Sequence, residues 1–432
     1  MSSSLEEITV LSKEDNELLT RVGRGTPMGE LIRRCWAPAC LSEELPGPDC
    51  DPIRLRLLGE DLIAFRDSEG RVGVMDEHCP HRGASLFFGR NEEGGLRCLY
   101  HGWKMDVTGN VLETPCEPAD SRIKYHVRHL AYPTVEQGDI VWTYLGPPNE
   151  QPSFPTFWWM ALPAEKRCVG KVDYACNFVQ AMEGVWDSTH SNVLHSGFQL
   201  MGWTPEQIAE LPREYGSLPT TPMVEAEETP YGFRAAAFKD RTDGRRTVSI
   251  RPFVVPFHCL LDDSPHIFVP VDDEHSWLYD IRVNSQYLLD REASLAYRGE
   301  RVGIDLTPDH HKIRNFQANY GQDRKAMREK KEPWSYAGIA WGKPHADMAM
   351  TETMGPIWER SREHLGISDF GVVTLRTRML AAVRRFMETG KVAEVGASIA
   401  FERIMGMKET IPADADWRLV GADVGEVVPG LA

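Results

Sequence analysis

The sequence has no long hydrophobic run, no basic start and no excess of positive charge. Its apolar stretches fall well short of the roughly 18 residues that a membrane span needs, and residues 1–7 lack the regions of a signal peptide. With 48 Lys and Arg against 64 Asp and Glu, the formal net charge is −16, which repels nucleic acid phosphates. The nine cysteines show no spacing typical of a disulfide framework. We therefore expect a cytoplasmic protein that binds a small molecule and neither nucleic acid nor membrane.

The chain of 432 residues is longer than one ordinary hydrophobic core supports, so two domains are expected. Short apolar runs separated by turn residues, such as 53–58, predict antiparallel hairpins, and the Gly- and Pro-rich stretch 146–152 predicts a boundary. Beyond it, a helical pattern at 177–190 precedes strand-like runs, and helical patterns return at 349–365 and 371–388. We predict an α+β fold with a helical lead-in at 1–45, a small antiparallel-β domain at 46–150, and a domain at 151–432 in which helices wrap an antiparallel sheet.

Two cysteines and two histidines repeat one pattern in the first domain. Each half places a histidine two or three residues after a cysteine, as Cys79-x-His81 and Cys98-x2-His101. This ligand set suits a [2Fe–2S] cluster in which one iron binds two thiolates and the other binds two imidazoles, which defines a Rieske centre. A structural zinc site also uses two Cys and two His, but it usually pairs like with like. The pattern therefore predicts an electron-relaying cluster, with zinc as the alternative.

Asp187, His190 and His195 form a second group of possible metal ligands. A non-haem ferrous site that activates oxygen binds two histidines and one carboxylate on one face of the metal. On an ideal helix His190 and His195 lie roughly 140° apart, so the helix must distort or end between them, with Gly197 as a plausible stop. Asp187 lies about 60° from His190, which predicts a hydrogen bond to the second ring nitrogen rather than a metal bond. Surface histidines are the alternative interpretation.

The two motifs together resemble the Rieske non-haem iron oxygenases, the α subunits of aromatic-ring-hydroxylating systems. The sequences at 24–29, 87–96 and 354–366 resemble the phthalate dioxygenase branch of that family. This branch implies a homotrimer, or a hexamer built from trimers, with no β subunit. It also implies a small antiparallel-β Rieske domain followed by a catalytic domain of the helix-grip type that holds a mononuclear non-haem iron.

The resemblance implies a role for each motif residue. The cluster ligands would be Cys79, His81, Cys98 and His101, and the mononuclear iron would bind His190, His195 and a late aspartate. Asp347 is the preferred aspartate because it precedes Met354-Gly355-Pro356, and Asp323 and Asp369 are the alternatives. Asp187 would be a catalytic residue that passes an electron from His101 of a neighbouring subunit to an iron-bound histidine.

The implied function is a terminal oxygenase that uses O2 and NADH-derived electrons supplied by a separate reductase or ferredoxin. Its substrate would be an aromatic carboxylate, which it would hydroxylate or O-demethylate, with ring cis-dihydroxylation as the alternative. A carboxylate calls for an arginine partner, and Arg246 and Arg251 are the candidates. An electron carrier without oxygenase activity or a zinc-stabilised binding protein are the alternatives from other classes, but neither explains the second motif.

Overall fold

The computed structural model describes residues 10–195, 223–241, 243–329, 336–339 and 343–421. These residues form two compact units. The first consists of Val22–Pro155 with Val269–Asp272, and the second of the described residues within Met1–Arg21, Thr156–Phe268 and Asp273–Ala432. Within the described ranges, no helix is both long enough and apolar enough to cross a membrane.

The first unit contains helix α2 (Pro27–Arg33) followed by three small antiparallel sheets. Its strands are β1 (Trp36–Leu41), β2 (Ile53–Leu57), β3 (Glu60–Arg66), β4 (Val72–Asp76), β5 (Arg90–Glu92), β6 (Gly95–Arg97), β7 (Lys104–Met105), β8 (Val111–Glu113), β9 (Ala131–Tyr132), β10 (Thr134–Gln137) and β11 (Ile140–Tyr144). The strand orders are β1-β11-β10, β2-β3-β4-β9 and β5-β6-β7-β8. In the β2–β3 hairpin, Leu58 and Gly59 both have positive φ (50° and 78°), so a tight turn joins the strands with matching twist.

The second unit is built on an eight-stranded antiparallel sheet. Its strands are β12 (Arg167–Tyr174), β13 (Met223–Thr229), β14 (Gly232–Asp240), β15 (Arg245–Val254), β16 (His258–Cys259), β17 (His266–Pro270), β18 (Ser276–Val283) and β19 (Met407–Pro412); the last residues of β17 are assigned to the first unit. The strand order is β12-β18-β17-β16-β15-β14-β13, with β19 paired to β15. Helices precede and follow the strands in sequence, so the predicted α+β class is confirmed.

The helices of this unit are α1 (Lys13–Thr20), α3 (Phe178–Trp186), α4 (His190–Val193), α5 (Arg291–Arg298), α6 (Arg324–Glu329), α7 (Lys343–Thr353) and α8 (Phe370–Thr389). Helix α8 buries Leu375, Met379 and Val383, as its apolar spacing predicts. The helix predicted at 349–365 is wrong in its bounds. It begins earlier and ends at Thr353, because Gly355 has a φ of 101° and Pro356 cannot continue a helix.

Candidate metal centres and substrate cavity

Three potential metal ligands converge in the second unit, where His190, His195 and Asp347 have ligand atoms within 4.8 Å of one another. The Asp347 Oδ1 atom lies 3.0 Å from His195 Nε2 and 3.4 Å from His190 Nε2. The two imidazole rings meet nearly edge to face, with their centroids 5.2 Å apart. Two neutral nitrogens and one carboxylate oxygen match the donor set of a non-haem ferrous centre, so the residues present fit an iron.

The chain between the two histidines does not follow one regular helix. Helix α3 ends at Trp186, Asp187 is its C-cap residue, and the short helix α4 begins at His190 and ends before His195. This break lets both rings turn toward one point, as their spacing of five requires. The proposed stop at Gly197 lies outside the described residues.

The Asp187 side chain stabilises the non-helical turn between helices α3 and α4. Its Oδ1 atom accepts hydrogen bonds from the Thr189 N–H (2.9 Å), the Thr189 hydroxyl (2.7 Å) and the His190 N–H (3.2 Å). The His190 Nδ1 atom lies 2.5 Å from the backbone carbonyl of Asp187 but 3.7 Å from its carboxylate. The predicted hydrogen bond from the ring therefore goes to the main chain, because Asp187 lies outside the helix that carries His190. Its carboxylate instead accepts the Thr189 and His190 N–H groups at the start of that helix.

Helix α7 carries Asp347 and is fastened to helix α3. The Gln180 side chain donates to the carbonyls of Thr351 (2.7 Å) and Gly355 (2.8 Å), and it accepts from the Trp358 N–H at 2.9 Å. Gln180 is almost fully buried, so all of its polar atoms are satisfied away from water. These hydrogen bonds fix the position of helix α7, which carries Asp347, relative to helix α3, which leads to the two histidines.

The two alternative aspartates do not join the triad. Asp323 accepts the N–H groups of Lys325 (2.8 Å) and Ala326 (3.0 Å) at the start of helix α6. Asp369 accepts the Gly366 N–H at 2.6 Å before helix α8. Both carboxylates therefore accept main-chain N–H groups close to the start of a helix, whereas the Asp347 carboxylate faces the two histidines.

The Cys79 and Cys98 loops of the first unit share one geometry. In each loop the cysteine N–H donates to a carbonyl five residues on, Cys79 to Ala84 (2.9 Å) and Cys98 to Trp103 (2.8 Å). Each loop also turns on a glycine with left-handed φ, 75° at Gly83 and 73° at Gly102, a conformation that disfavours other residues. The two matching loops each carry one cysteine and one histidine, an arrangement that suits a cluster held from two sides.

These loops bring the four motif residues together in pairs. Burial, with a smaller contribution from the neighbouring Cys98, raises the pKa of the Cys79 thiol to about 11. The His81 and His101 ring centroids lie 4.5 Å apart. Because a cluster binds thiolates at one iron and imidazoles at the other, its ligands need not converge on one point as those of a single metal do.

The His81 ring has the environment of a metal ligand. It stacks on the buried Trp103 with centroids 4.7 Å apart and an interplanar angle of 4°. Its Nδ1 atom is buried without a hydrogen-bond partner among the described residues, which costs free energy unless a metal binds there. Burial, followed by the charges of His81 and Arg82, lowers the pKa of His101, which favours the neutral imidazole that binds metals. The donor set and the orphaned nitrogen fit a [2Fe–2S] cluster.

A cavity of about 210 Å³ adjoins the triad, and His190, His195 and Asp347 line it together with Arg251. Arg251 donates to the Val185 carbonyl at 2.9 Å, and no described residue pairs its guanidinium with a carboxylate. Burial lowers the pKa of Arg251, because no nearby charge offsets its desolvation strongly. A cation is therefore held at the cavity without a fixed counter-ion.

Arg246, the other predicted carboxylate partner, does not line this cavity. It lies 3.2 Å from Asp240, with its guanidinium over the Phe238 ring. The physical reason is strand periodicity: Arg246 and Arg251 are five residues apart on β15, so their side chains point to opposite faces of the sheet. The structure brings only Arg251 to the triad.

One polar wall of the cavity was not predicted from the sequence. Ser264, His266 and Arg298 line it, and all three contact the buried Asp280, which Arg298 neutralises. Burial raises the pKa of the neighbouring Glu300 to about 7. These residues come from two strands, the loop before them and a helix end, and no local motif marks them.

Comparisons with known proteins agree with these two centres. The Rieske [2Fe-2S] domain family matches residues 35–134, and the family described as LigXa C-terminal domain like matches residues 143–429. The chain is 41% identical to the phthalate 4,5-dioxygenase oxygenase subunit of Pseudomonas putida, over 95% of this chain and 94% of the relative. It is 35% identical to the 3-chlorobenzoate-3,4-dioxygenase oxygenase subunit of Comamonas testosteroni (87% and 90%).

A less similar relative and a solved structure also resemble this chain. The 5,5'-dehydrodivanillate O-demethylase oxygenase subunit of a Sphingobium species is 31% identical, over 86% of this chain and 80% of the relative. Among solved structures, the QL mutant of NdmA from Pseudomonas putida CBB5 with caffeine superposes with a TM-score of 0.58. It covers 90% of this chain and 99% of that chain at 17% identity, so it supports the fold alone.

Proposed function

The chain belongs to the Rieske non-haem iron oxygenases, and from this premise we propose which of its residues perform the chemistry and on what substrate. It is the oxygenase component of such a system, an oxidoreductase that uses a [2Fe–2S] cluster, a mononuclear iron, O2 and electrons from a reductase or ferredoxin. The resemblance to this family and the predicted cofactors are thereby confirmed.

We assign the cluster to Cys79, His81, Cys98 and His101, and the mononuclear iron to His190, His195 and Asp347. The orphaned Nδ1 atom of His81 and the 3.0 Å approach of His195 to Asp347 support these assignments. When bound, the iron supplies open coordination positions for oxygen activation. We also propose Asp187 as the electron bridge; its Oδ1 atom accepts the His190 N–H, which places its carboxylate next to one of the proposed iron ligands.

We propose an aromatic carboxylate as the substrate, bound by Arg251. The observation that carries this proposal is the cation at the cavity without a carboxylate partner among the described residues. A substrate carboxylate would supply the missing charge and fix the ring relative to the triad through a charge-assisted hydrogen bond. Relatives named for phthalate, 3-chlorobenzoate and 5,5'-dehydrodivanillate act on molecules of this class.

We also propose that the chain assembles as a homotrimer or as a hexamer built from two trimers. Leu99 and Tyr100 at the tip of the second cluster loop are 61% and 59% exposed beside His101. Large apolar side chains at such a tip call for a covering surface, which a neighbouring subunit would provide. Because NADH is produced inside the cell, we place the enzyme in the cytoplasm.

A substrate panel tests the reaction. Purified protein, an NADH-dependent reductase and O2 are supplied with phthalates, benzoates and methoxybenzoates, and the products are identified. Formaldehyde release would indicate O-demethylation. A cis-diol would indicate ring dihydroxylation, the second candidate reaction, which the 41% identity to a phthalate 4,5-dioxygenase favours. Every member of this panel carries a carboxylate; equal or better turnover of the matched analogues benzene and methoxybenzene, which lack it, would overturn the proposed substrate class.

A further inference from the structure

The cations of the first unit are almost all neutralised by carboxylates. Its lysines and arginines form ion pairs, from Arg24 with Glu60 to Lys104 with Glu113, with four exceptions. Arg82, Arg122, Lys124 and Arg128 have no carboxylate partner among the described residues. Three of these four lie within one segment of seven residues, which contains no acidic residue and which we call the basic segment: Arg122, Ile123, Lys124, Tyr125, His126, Val127 and Arg128.

The basic segment lies against the core that contains the cluster cysteines. Ile123 and Val127 pack on the buried residues around Cys79 and Cys98, so one side of the segment is anchored there. Its other side holds the three cations: Arg122 and Arg128 are exposed and Lys124 is partly buried. Lys124 and Arg128 donate to the Leu112 (3.3 Å) and Thr108 (3.1 Å) carbonyls, which leaves their charges without a carboxylate. The fourth cation, Arg82, follows His81 in the first cluster loop, and its guanidinium lies 5.6 Å from the Tyr100 ring. Unbalanced positive charge in this unit is therefore found next to the cluster site.

Tyr125 gives this surface the composition of a binding site. Its side chain is 69% exposed, and the charged groups of Arg122 and Lys124 lie 5.7 Å and 5.2 Å from its ring. An aromatic ring between cations is typical of the residues that dominate protein interfaces. In a chain of net charge −16, a local basic surface selects an acidic partner against the general repulsion.

We propose that the basic segment docks an acidic electron-donor protein at the cluster. This rests on the proposed cluster ligands and adds the place where the electron enters. The step moves one electron from a reduced [2Fe–2S] donor of lower potential to the oxidised Rieske cluster, with no bond made or broken. Arg122, Lys124 and Arg128 orient the donor through charge, and Tyr125 packs against it.

Stopped-flow reduction of the cluster tests the docking surface. The probe is a chemically reduced, acidic plant-type [2Fe–2S] ferredoxin in excess, and cluster bleaching is followed with the R122Q/K124Q/R128Q variant and with the natural protein. Steering by three charges predicts a reduction rate about 10-fold lower in the variant at low salt. The rate of the natural protein should fall toward that of the variant as salt screens the charges.

A matched control removes equal charge elsewhere. The R241Q/R245Q/K325Q variant loses three exposed cations of the second unit, and it should be reduced at the natural rate. Size-exclusion chromatography and full bleaching by dithionite must be unchanged in both variants. Equal reduction rates in the two variants, or dissociation of the R122Q/K124Q/R128Q assembly, would overturn the docking proposal. A natural protein without a Rieske spectrum would overturn the cluster assignment itself, and docking with it.

Discussion

The Nε2 atom of His195 lies 3.0 Å from the Oδ1 atom of Asp347, a residue carried by a helix far along the chain. The same oxygen is 3.4 Å from His190 Nε2. Lone pairs of a carboxylate and of a neutral imidazole repel each other at such distances unless a proton or a metal cation lies between them. The arrangement therefore suits a proton or a metal cation shared by the three side chains, and Gln180 holds helix α7 in place through its hydrogen bonds.

Asp187→Asn separates the charge of this residue from its structural role. The asparagine carbonyl can still accept from the Thr189 and His190 N–H groups, so helix α4 and the iron site should persist. Loss of the negative charge should block electron transfer, and we expect product formation to fall at least about 100-fold with both metals bound. Iron content and turnover of one preparation check this. A variant with near-natural turnover would refute the bridge.

Arg251→Gln tests substrate recognition. Loss of a charge-assisted hydrogen bond worth about 1.5–3 kcal/mol predicts a KM for aromatic carboxylates about 10- to 100-fold higher. Arg246→Gln is the matched control, because that side chain lies on the opposite face of β15 and should leave KM unchanged. Equal KM values for the two variants would remove Arg251 from the binding site.

Glu300→Gln should change the pH dependence of stability. Burial raises the pKa of Glu300 to about 7, so the folded protein binds a proton between about pH 4.5 and 7 that the unfolded chain releases. The contribution of Glu300 to the free energy of unfolding therefore falls as pH rises through this window, by at most about 3 kcal/mol. Gln mimics the protonated form. The Tm of the variant relative to the natural protein should rise from pH 5 to pH 8; a constant difference would contradict the assignment.

Dissociation of the oligomer into monomers should abolish turnover but leave the Rieske absorbance unchanged. If the electron passes from His101 to Asp187 of a neighbouring subunit, a monomer retains its Rieske absorbance and loses turnover. Activity and sedimentation measured over a dilution series, with reductase in excess, check this expectation. Full activity per chain in a monomeric fraction would show that electrons travel within one subunit.

The local parts of the fold and site follow from the sequence. Apolar spacing identifies helix α8 and strands such as β2, and short-range motifs mark both Cys/His pairs. The break before His190 also follows, because a spacing of five cannot place two rings on one side of a helix. Periodicity would also have separated Arg246 from Arg251, since five residues along a strand reverse the face.

The remaining parts depend on contacts between distant segments. Only the resemblance of the following Met354-Gly355-Pro356 phrase favours Asp347 over Asp323 and Asp369. Its approach to the two histidines depends on the contacts of Gln180 between helices α7 and α3. The wall formed by Ser264, His266 and Arg298 around Asp280 likewise exists only after β17, β18 and helix α5 come together. Such tertiary placement leaves no periodic pattern in the sequence.

Iron and acid-labile sulfide per chain, measured in the natural protein and in Asp347→Ala, test the central assignment most directly. We predict about three irons and two sulfides in the natural protein, since a [2Fe–2S] cluster and one mononuclear iron share the chain. Asp347→Ala should retain about two irons, two sulfides and the Rieske spectrum, while Asp323→Ala and Asp369→Ala keep about three irons. A full complement of about three irons in Asp347→Ala would contradict the proposed triad.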